Sequence, residues 1–473
     1  MATHPMTCQQ SCLHLEQSSP SPANAALQTE NAALRARLNT DSHNSSKPPS
    51  ADGYHKPSPK SQRTVSGRKT GGQPGHPGHR LSLIAKPDET VVHAPSRCPT
   101  CQEEFTPLTF RRVEKRQIVD IPPVRRRVIE HQVETHRCRR CGTEAHGEFP
   151  AEMRGPIQYG PGVAAIAVYL NQEQLLPSER TCAALDDLFD CPIAEGTLES
   201  MVAACHDQLA PVEAQIKAGV THAEVVHFDE TGMRLGGTTS WLHVACTPAL
   251  TFYASHPKRG RAAFAAIDIL PHLTGRAVHD GLAGYQTYPQ IAHALCNAHH
   301  LRELTFVEEE LGQPWAKDLK DVLWAMKESV DQAKSQGIIA VADDQKHALV
   351  TRYDTVLSVG EQANPLPDVT GKRGRRKRGK ARSLVERLQK RKAQVLAFLE
   401  DFVVPFDNNQ AERDLRMVKV RQKISGCFRT PLGAERFCRI RGYISTMRKQ
   451  GIPIFSALAQ AITGHPSLPA LAS

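Results

Sequence analysis

The stretch Val225-Val-His-Phe-Asp229-Glu-Thr-Gly232 decides the reading of this chain. Its apolar run is short and closed by polar residues, as expected of a buried strand, and it delivers a carboxylate at its end. A second run, Arg276-Ala-Val-His-Asp280-Gly281, finishes the same way. Between the two, residues 240–246 and 250–254 read as strands separated by turn residues such as Gly236-Gly237, and 261–270 reads as a helix. Beyond Asp280 come a short helix near Tyr285, a strand at 292–296 and a helix from His299.

The order β-β-β-α-β-α-β-α is that of a ribonuclease-H-like α/β domain, in which the first and fourth strands are neighbours. Carboxylates 51 positions apart (280 − 229 = 51) can therefore meet. A third carboxylate, Glu412 in Asn408-Asn-Gln-Ala-Glu412-Arg-Asp414, lies just inside a predicted helix, 132 positions further on (412 − 280 = 132). Two Asp on strand ends and a Glu on a helix make a cage of hard oxygen donors for two Mg²⁺ or Mn²⁺ ions. Such a pair neutralises and activates an in-line phosphodiester displacement. Each carboxylate has a neighbouring rival. Glu230 adjoins Asp229, Asp280 could simply form a turn with Gly281, and Asp407 and Asp414 flank Glu412. Spacing alone does not choose among them.

The rest of the chain fits a handler of polyanions. Its 473 residues exceed one core, and about two to four domains are expected. Net charge is +10, with a pI near 9.0. His256, Lys258, Arg259 and Arg261 cluster at a predicted helix start, where phosphate is favoured. Arg413 and Arg416 make the Glu412 helix basic, followed by Lys419, Arg421 and Lys423. The densest basic run, 371–382, includes Arg375, Arg376, Lys377 and Arg378 and suits a phosphate backbone or a solvated loop. No apolar stretch approaches the roughly eighteen residues of a membrane span. The N-terminus shows no secretory pattern, so a cytoplasmic, nucleoid-associated protein without a membrane partner is expected.

Thirteen cysteines in such a setting are expected to be thiols except where their spacing suggests metal. Cys98-Pro-Thr-Cys101 and Cys138-Arg-Arg-Cys141-Gly142 read as two knuckles sharing one structural Zn²⁺. The alternating segments 113–121 and 128–133 predict a β-ribbon between them. Cys296-Asn-Ala-His299-His300 reads either as a metal group or as a buried strand-end Cys followed by helix-start histidines, the second being preferred.

The predicted organisation is a short coiled coil or amphipathic helix at 1–40, carrying Leu27, Leu34 and Leu38, and a basic Pro/Gly/Ser-rich linker at 41–86. A zinc-binding ribbon at 87–153 follows, then a helical, helix-turn-helix-like segment at 156–215 with its second helix capped by Thr197. The core occupies 221–312 and 399–473, the latter including a helical tail, and a helical insertion at 313–398 interrupts it.

These motifs together resemble the DDE transposases of the insertion-sequence-sixty-six family. The resemblance is carried by NSSKPPSADG (44–53), GGQPGHPGH (71–79), the two CxxC pairs and YGPGVAAIAVYLNQEQLLPSER (159–180). It continues through HFDETG (227–232), VHDGLAGY (278–285), CNAHHLREL (296–304) and GKARSLVERL (379–388). NNQAERDLRMVKVRQKISGCFRT (408–430) and RIRGYISTMRKQG (439–451) complete it. The resemblance implies that Asp229, Asp280 and Glu412 are the catalytic triad, in preference to Glu230, Asp407 and Asp414. It implies terminal-inverted-repeat DNA and target DNA as substrates, metal-dependent cleavage and strand transfer, a homo-oligomer on DNA, and accessory proteins from the same element. An end-binding repressor with a silent core and a junction-resolving nuclease are the competing expectations.

Overall fold

The computed structural model describes residues 82–366 and 379–471, apart from 94, 106–112, 123 and 154, together with parts of 27–45. The expected linker is therefore largely outside the described residues, as are Arg375, Arg376, Lys377 and Arg378. Leu27, Leu34 and Leu38 lie at helical positions and are exposed. The chain divides into two compact units, one of 60–154 with 183–193, the other of the remaining residues.

The smaller unit is organised by backbone hydrogen bonds rather than by a core. No described residue of 82–153 is buried. Its two knuckles are built alike. Cys98 N donates to Glu103 O (2.8 Å) and Gln102 N to Cys98 O (3.0 Å); Cys138 N donates to Thr143 O (2.8 Å) and Gly142 N to Cys138 O (2.8 Å). The residue after each second cysteine is left-handed, Gln102 at φ 63° and Gly142 at φ 75°. Strands β1 (Thr135–Arg137) and β2 (Glu144–His146) pair antiparallel around the second knuckle. The ribbon expected from 113–121 and 128–133 is not formed. Those segments carry no strand, and Val113, Ile118, Ile121 and Val128 face outward. Pro122-Pro123 removes two amide donors, and an alternating pattern without a buried face has nothing to fix its register.

The larger unit is a mixed α/β body with a helical C-terminal region. Helix α1 (Pro161–Val168) runs into a π-helical turn; α2 (Ser178–Phe189) follows, its residues from 183 onward belonging to the smaller unit, and then α3 (Glu195–Gln208) and α4 (Ala210–Thr221). Thr197 is not a cap: α3 starts two residues earlier, behind Ala194. Strands β3 (Val225–Leu235), β4 (Thr238–Cys246) and β5 (Thr251–His256) form a meander. Its first turn uses Gly236 and Gly237, both at positive φ as a two-residue hairpin requires. After α5 (Arg261–Ile267), β6 (Arg276–His279) and β7 (Ala292–Leu295) add in parallel, giving the order β5-β4-β3-β6-β7.

Strand β3 does not stop at Asp229, as the sequence suggests. It pairs with β4 as far as Leu235↔Thr238, whereas its pairing with β6 ends at His227↔Val278. Asp229 therefore sits where one neighbour has left and the other remains. The register Val225↔Arg276 carries an offset of 51 (276 − 225), so its continuation sets Asp229 level with Asp280.

Helices α6 (Asn297–Leu311), α7 (Pro314–Ser335), α8 (Asp343–Ala363), α9 (Lys380–Lys390), α10 (Lys392–Val395) and α11 (Ala397–Glu400) share a core with Val278 and Leu295. Helix α12 (Asn409–Ser425) packs Leu415 and Val418 against Met233, Leu242 and Val244 of the sheet. Helices α13 (Pro431–Lys449) and α14 (Ile454–Ile462) close the chain. Among the described residues no helix is long and apolar enough to cross a membrane.

Candidate active site

Strand alternation separates Asp229 from its rival Glu230. The Glu230 side chain is fully buried. Arg259 Nε donates to its Oε1 and Tyr285 Oη to its Oε2, both at 2.8 Å. Both oxygens are thus committed. Asp229 is partly exposed, and its Oδ1 accepts from Glu230 N (2.8 Å). Burial raises its pKa well above the usual carboxylate range, and the charges of Glu230, Asp280 and Glu412 raise it further.

Asp280 is held by the turn that follows β6. Its Oδ1 accepts from Leu282 N (2.9 Å), Gly281 lies at φ 91°, and Arg391 Nη1 donates to Gly281 O (3.1 Å). Behind the turn, Gly281 N donates to His279 Nδ1 (3.0 Å). That leaves the proton on His279 Nε2, which faces His293 Nδ1 (3.0 Å), and His293 Nε2 in turn donates to Tyr288 O (3.0 Å). Each bond fixes the next tautomer, so both rings are neutral. Burial, holding His279 well below its ordinary pKa, agrees. Arg259 Nη2 lies 3.7 Å from Asp280 Oδ2, and its guanidinium stacks over Trp241.

Glu412 is in the first turn of α12. Asn408, at the start of α12, makes no capping bond with its side chain. Instead its Oδ1 meets His227 Nδ1 (2.9 Å), its Nδ2 donates to Phe228 O (2.8 Å), and its backbone N donates to Cys296 Sγ (3.2 Å). These bonds clamp the start of α12 to β3 one residue before Asp229. Glu412 Oε1 is buried without a hydrogen-bond partner, 3.9 Å from His299 Nδ1, which is equally unpartnered. Arg302 Nη2 lies 3.9 Å from Oε2. Burial holds His299 below its usual pKa, helped by Arg302 and opposed by Glu412 and Asp280. The other rivals are occupied. Asp407 accepts from Asn409 N (3.0 Å), and Asp414 takes Lys449 Nζ (2.7 Å) and Thr251 Oγ1 (3.2 Å).

A family model for the transposase IS66 family matches residues 156–436. The chain belongs to that family. A second model, the zinc-finger binding domain of transposase IS66, matches 95–142 and so spans both knuckles of this IS66-family chain. A family of unknown function, DUF6444, matches 23–82. No curated protein matches the chain.

In this IS66-family chain the four knuckle cysteines are free. Hydrogen bonds from Thr143 and Cys138 lower the Cys141 thiol to about 7, a value that favours thiolate. The four thiols are not gathered as one ligand set; among the described residues the group whose ligand atoms lie within 4.8 Å of one another is Cys296, His299 and Glu412. Of the basic residues singled out, Lys258, Arg261, Arg413 and Arg416 are exposed. Arg259, also exposed over part of its side chain, reaches the carboxylates with its guanidinium. Lys419 Nζ donates to Gly232 O (2.7 Å), and Arg421 is stacked over Phe428, where burial lowers its pKa to about 10. No local sequence pattern reports the Asn408 clamp, the Tyr285 contact or the His279–His293 pair. The CNAHH motif is, as expected, a buried strand-end Cys296 followed by helix-start His299 and His300, and it also brings His299 to Glu412.

Proposed function

We propose that the chain is an active DDE transposase. It binds the terminal inverted repeats of its element and catalyses metal-dependent cleavage and strand transfer into target DNA. On this reading the sheet and α12 form a ribonuclease-H-like core, and 313–398 is an insertion within it. The knuckle segment and the helices of 156–215 contribute to DNA binding. A homo-oligomer would hold two ends, with accessory proteins of the same element. The observation that carries the proposal is geometric: the β3–β6 register sets Asp229 level with Asp280 and Asn408 ties the start of the Glu412 helix to Phe228, while Glu230, Asp407 and Asp414 are bonded elsewhere.

The donor set fits hard divalent cations. It offers carboxylate oxygens, one of them the buried and unpartnered Glu412 Oε1. Asp229, Asp280 and Glu412 would hold Mg²⁺ or Mn²⁺, two ions in all. Bound there, the ions supply charge neutralisation and an activated oxygen nucleophile. The protein's own part is placement. Asn408 fixes α12 against β3, the His279–His293 pair fixes the Asp280 turn, and Arg259 offsets the crowded negative charge. Lys258, Arg261, Arg413 and Arg416 would meet phosphates from the exposed side. The four knuckle Cys, though not gathered as one ligand set here, have the chemistry for one structural Zn²⁺ and would leave no open position on it.

Purified chain with Mg²⁺ or Mn²⁺ should nick DNA carrying the element ends, and Asp229→Ala, Asp280→Ala and Glu412→Ala should each reduce cleavage by at least about 10³-fold. Binding of ends without cleavage by the unsubstituted chain would favour the repressor. Cleavage of four-way junctions lacking end sequence would favour the nuclease.

A further inference from the structure

The gap between Glu412 and His299 is not explained by three carboxylates alone. Two buried atoms, Glu412 Oε1 and His299 Nδ1, face one another at 3.9 Å, and neither has a hydrogen-bond partner. Leaving one such group unmet is unfavourable. Leaving two opposite each other suggests that something belongs between them. A direct hydrogen bond is excluded by the distance. Atoms bound about 2.1 Å from a single ion can lie up to about 4.2 Å apart, so one cation can satisfy both.

The surroundings specify the kind of ion. Arg302 stands near the other carboxylate oxygen, which leaves Oε1 as the one turned to the gap. Cys296 forms the rear wall. Its Sγ already accepts from Asn408 N (3.2 Å), which commits it to the start of α12. The pocket thus offers oxygen and one imidazole nitrogen, without sulfur. His299 is also rigidly placed. It lies in the first turn of α6, beside Asn297, whose Nδ2 is tied to Val395 O (3.0 Å) and whose Oδ1 meets His300 Nδ1.

We propose that His299 is a fourth protein ligand of the catalytic centre, binding with Glu412 the ion that Glu412 holds. The nitrogen donor tilts the site from Mg²⁺ toward Mn²⁺ and other first-row divalent ions. The inference rests on the DDE reading and adds a residue and a metal preference to it.

The test uses the full, zinc-loaded chain with Mn²⁺ and is read by pulsed EPR for ¹⁴N coupling, alongside Mn²⁺ and Mg²⁺ titrations by calorimetry. Wild type should show imidazole nitrogen coupled to bound Mn²⁺. In His299→Ala and His299→Gln the coupling should vanish and Mn²⁺ affinity should fall about 10- to 100-fold, with a smaller change for Mg²⁺. His299→Gln keeps polarity and bulk in case the alanine variant does not fold. Bound Mn²⁺ that is lost in Asp229→Asn yet shows no ¹⁴N coupling in wild type would overturn the proposal and leave the DDE reading standing. It would mean that His299 and Glu412 form an ion pair instead. Absence of any Mn²⁺ binding sensitive to Asp229→Asn would overturn both.

Discussion

The knuckle segment and the sheet reach order by opposite routes. Around the sheet, Val226, Leu242, Val278 and Leu304 are fully buried, and apolar burial holds the backbone in place. In 82–153 no described residue is buried, and the two knuckles persist as paired sets of backbone hydrogen bonds around thiols. The sheet can therefore carry crowded negative charge at its edge, because its stability comes from elsewhere. The knuckles have no such reserve, and on the proposed zinc reading they would depend on what the thiols bind.

The sharpest way to break this comparison is to remove the ligand. Structural zinc contributes roughly 10–16 kcal/mol to small metal domains. Chelation, or Cys101→Ser, should erase hydrogen-exchange protection at Gly142, Gln102 and Cys138 while leaving Val226 and Val278 protected. Elemental analysis should give about one zinc per chain before treatment. Protection of the knuckle amides that survives chelation would mean the hydrogen bonds suffice without metal.

The counterpart on the sheet side is steric. Gly275 enters β6 with its backbone pressed against β3, so that a Cβ would stand 2.1 Å from Ala223 O and 2.4 Å from Glu224 O. Arg276 N must still reach Glu224 O, at 2.8 Å. Gly275→Ala should destabilise the larger unit by more than about 3 kcal/mol, seen as a fall in its denaturation midpoint, and leave zinc content unchanged. Next comes Asn408→Ala, which strips partners from His227 Nδ1 and Phe228 O in a buried site. A loss of about 2–4 kcal/mol is expected, and Glu412→Ala, which removes no such bond, should cost less.

These cases also mark how far the sequence could be read. The strand order and the offset linking Asp229 to Asp280 were legible, because short apolar runs and Gly punctuation report a buried sheet directly. The end of β3 was not, since the pattern cannot tell that β4 continues to pair after β6 has stopped. The ribbon between the knuckles failed for the converse reason: alternation at 113–133 signals a strand only if something covers one face. Asn408 reads as a cap in any local window. Its partners His227 and Phe228 are 181 and 180 positions away, and no local pattern reports them. Arg259 was legible as a cation but not as one turned inward to Glu230.

The smallest effect has the opposite sign and tests whether the acid cluster is a burden that the sheet carries. The pKa of Asp229 is raised in the folded chain above the unfolded value of about 3.9. Between those two values the folded protein keeps a proton that the unfolded chain has released. Stability therefore falls as pH rises through that window, and the full penalty remains at higher pH. Asp229→Asn removes the penalty, so without divalent ions the variant should melt slightly above wild type at pH 8 and at nearly the same temperature at pH 4. Adding Mn²⁺ should reverse the ranking, because a cation offsets the charge only where the carboxylate remains and stabilises the folded state in proportion to its binding. A variant that melts below wild type without metal would mean that Asp229 contributes a needed contact. The cluster would then belong to the same stabilising architecture as the strands beneath it.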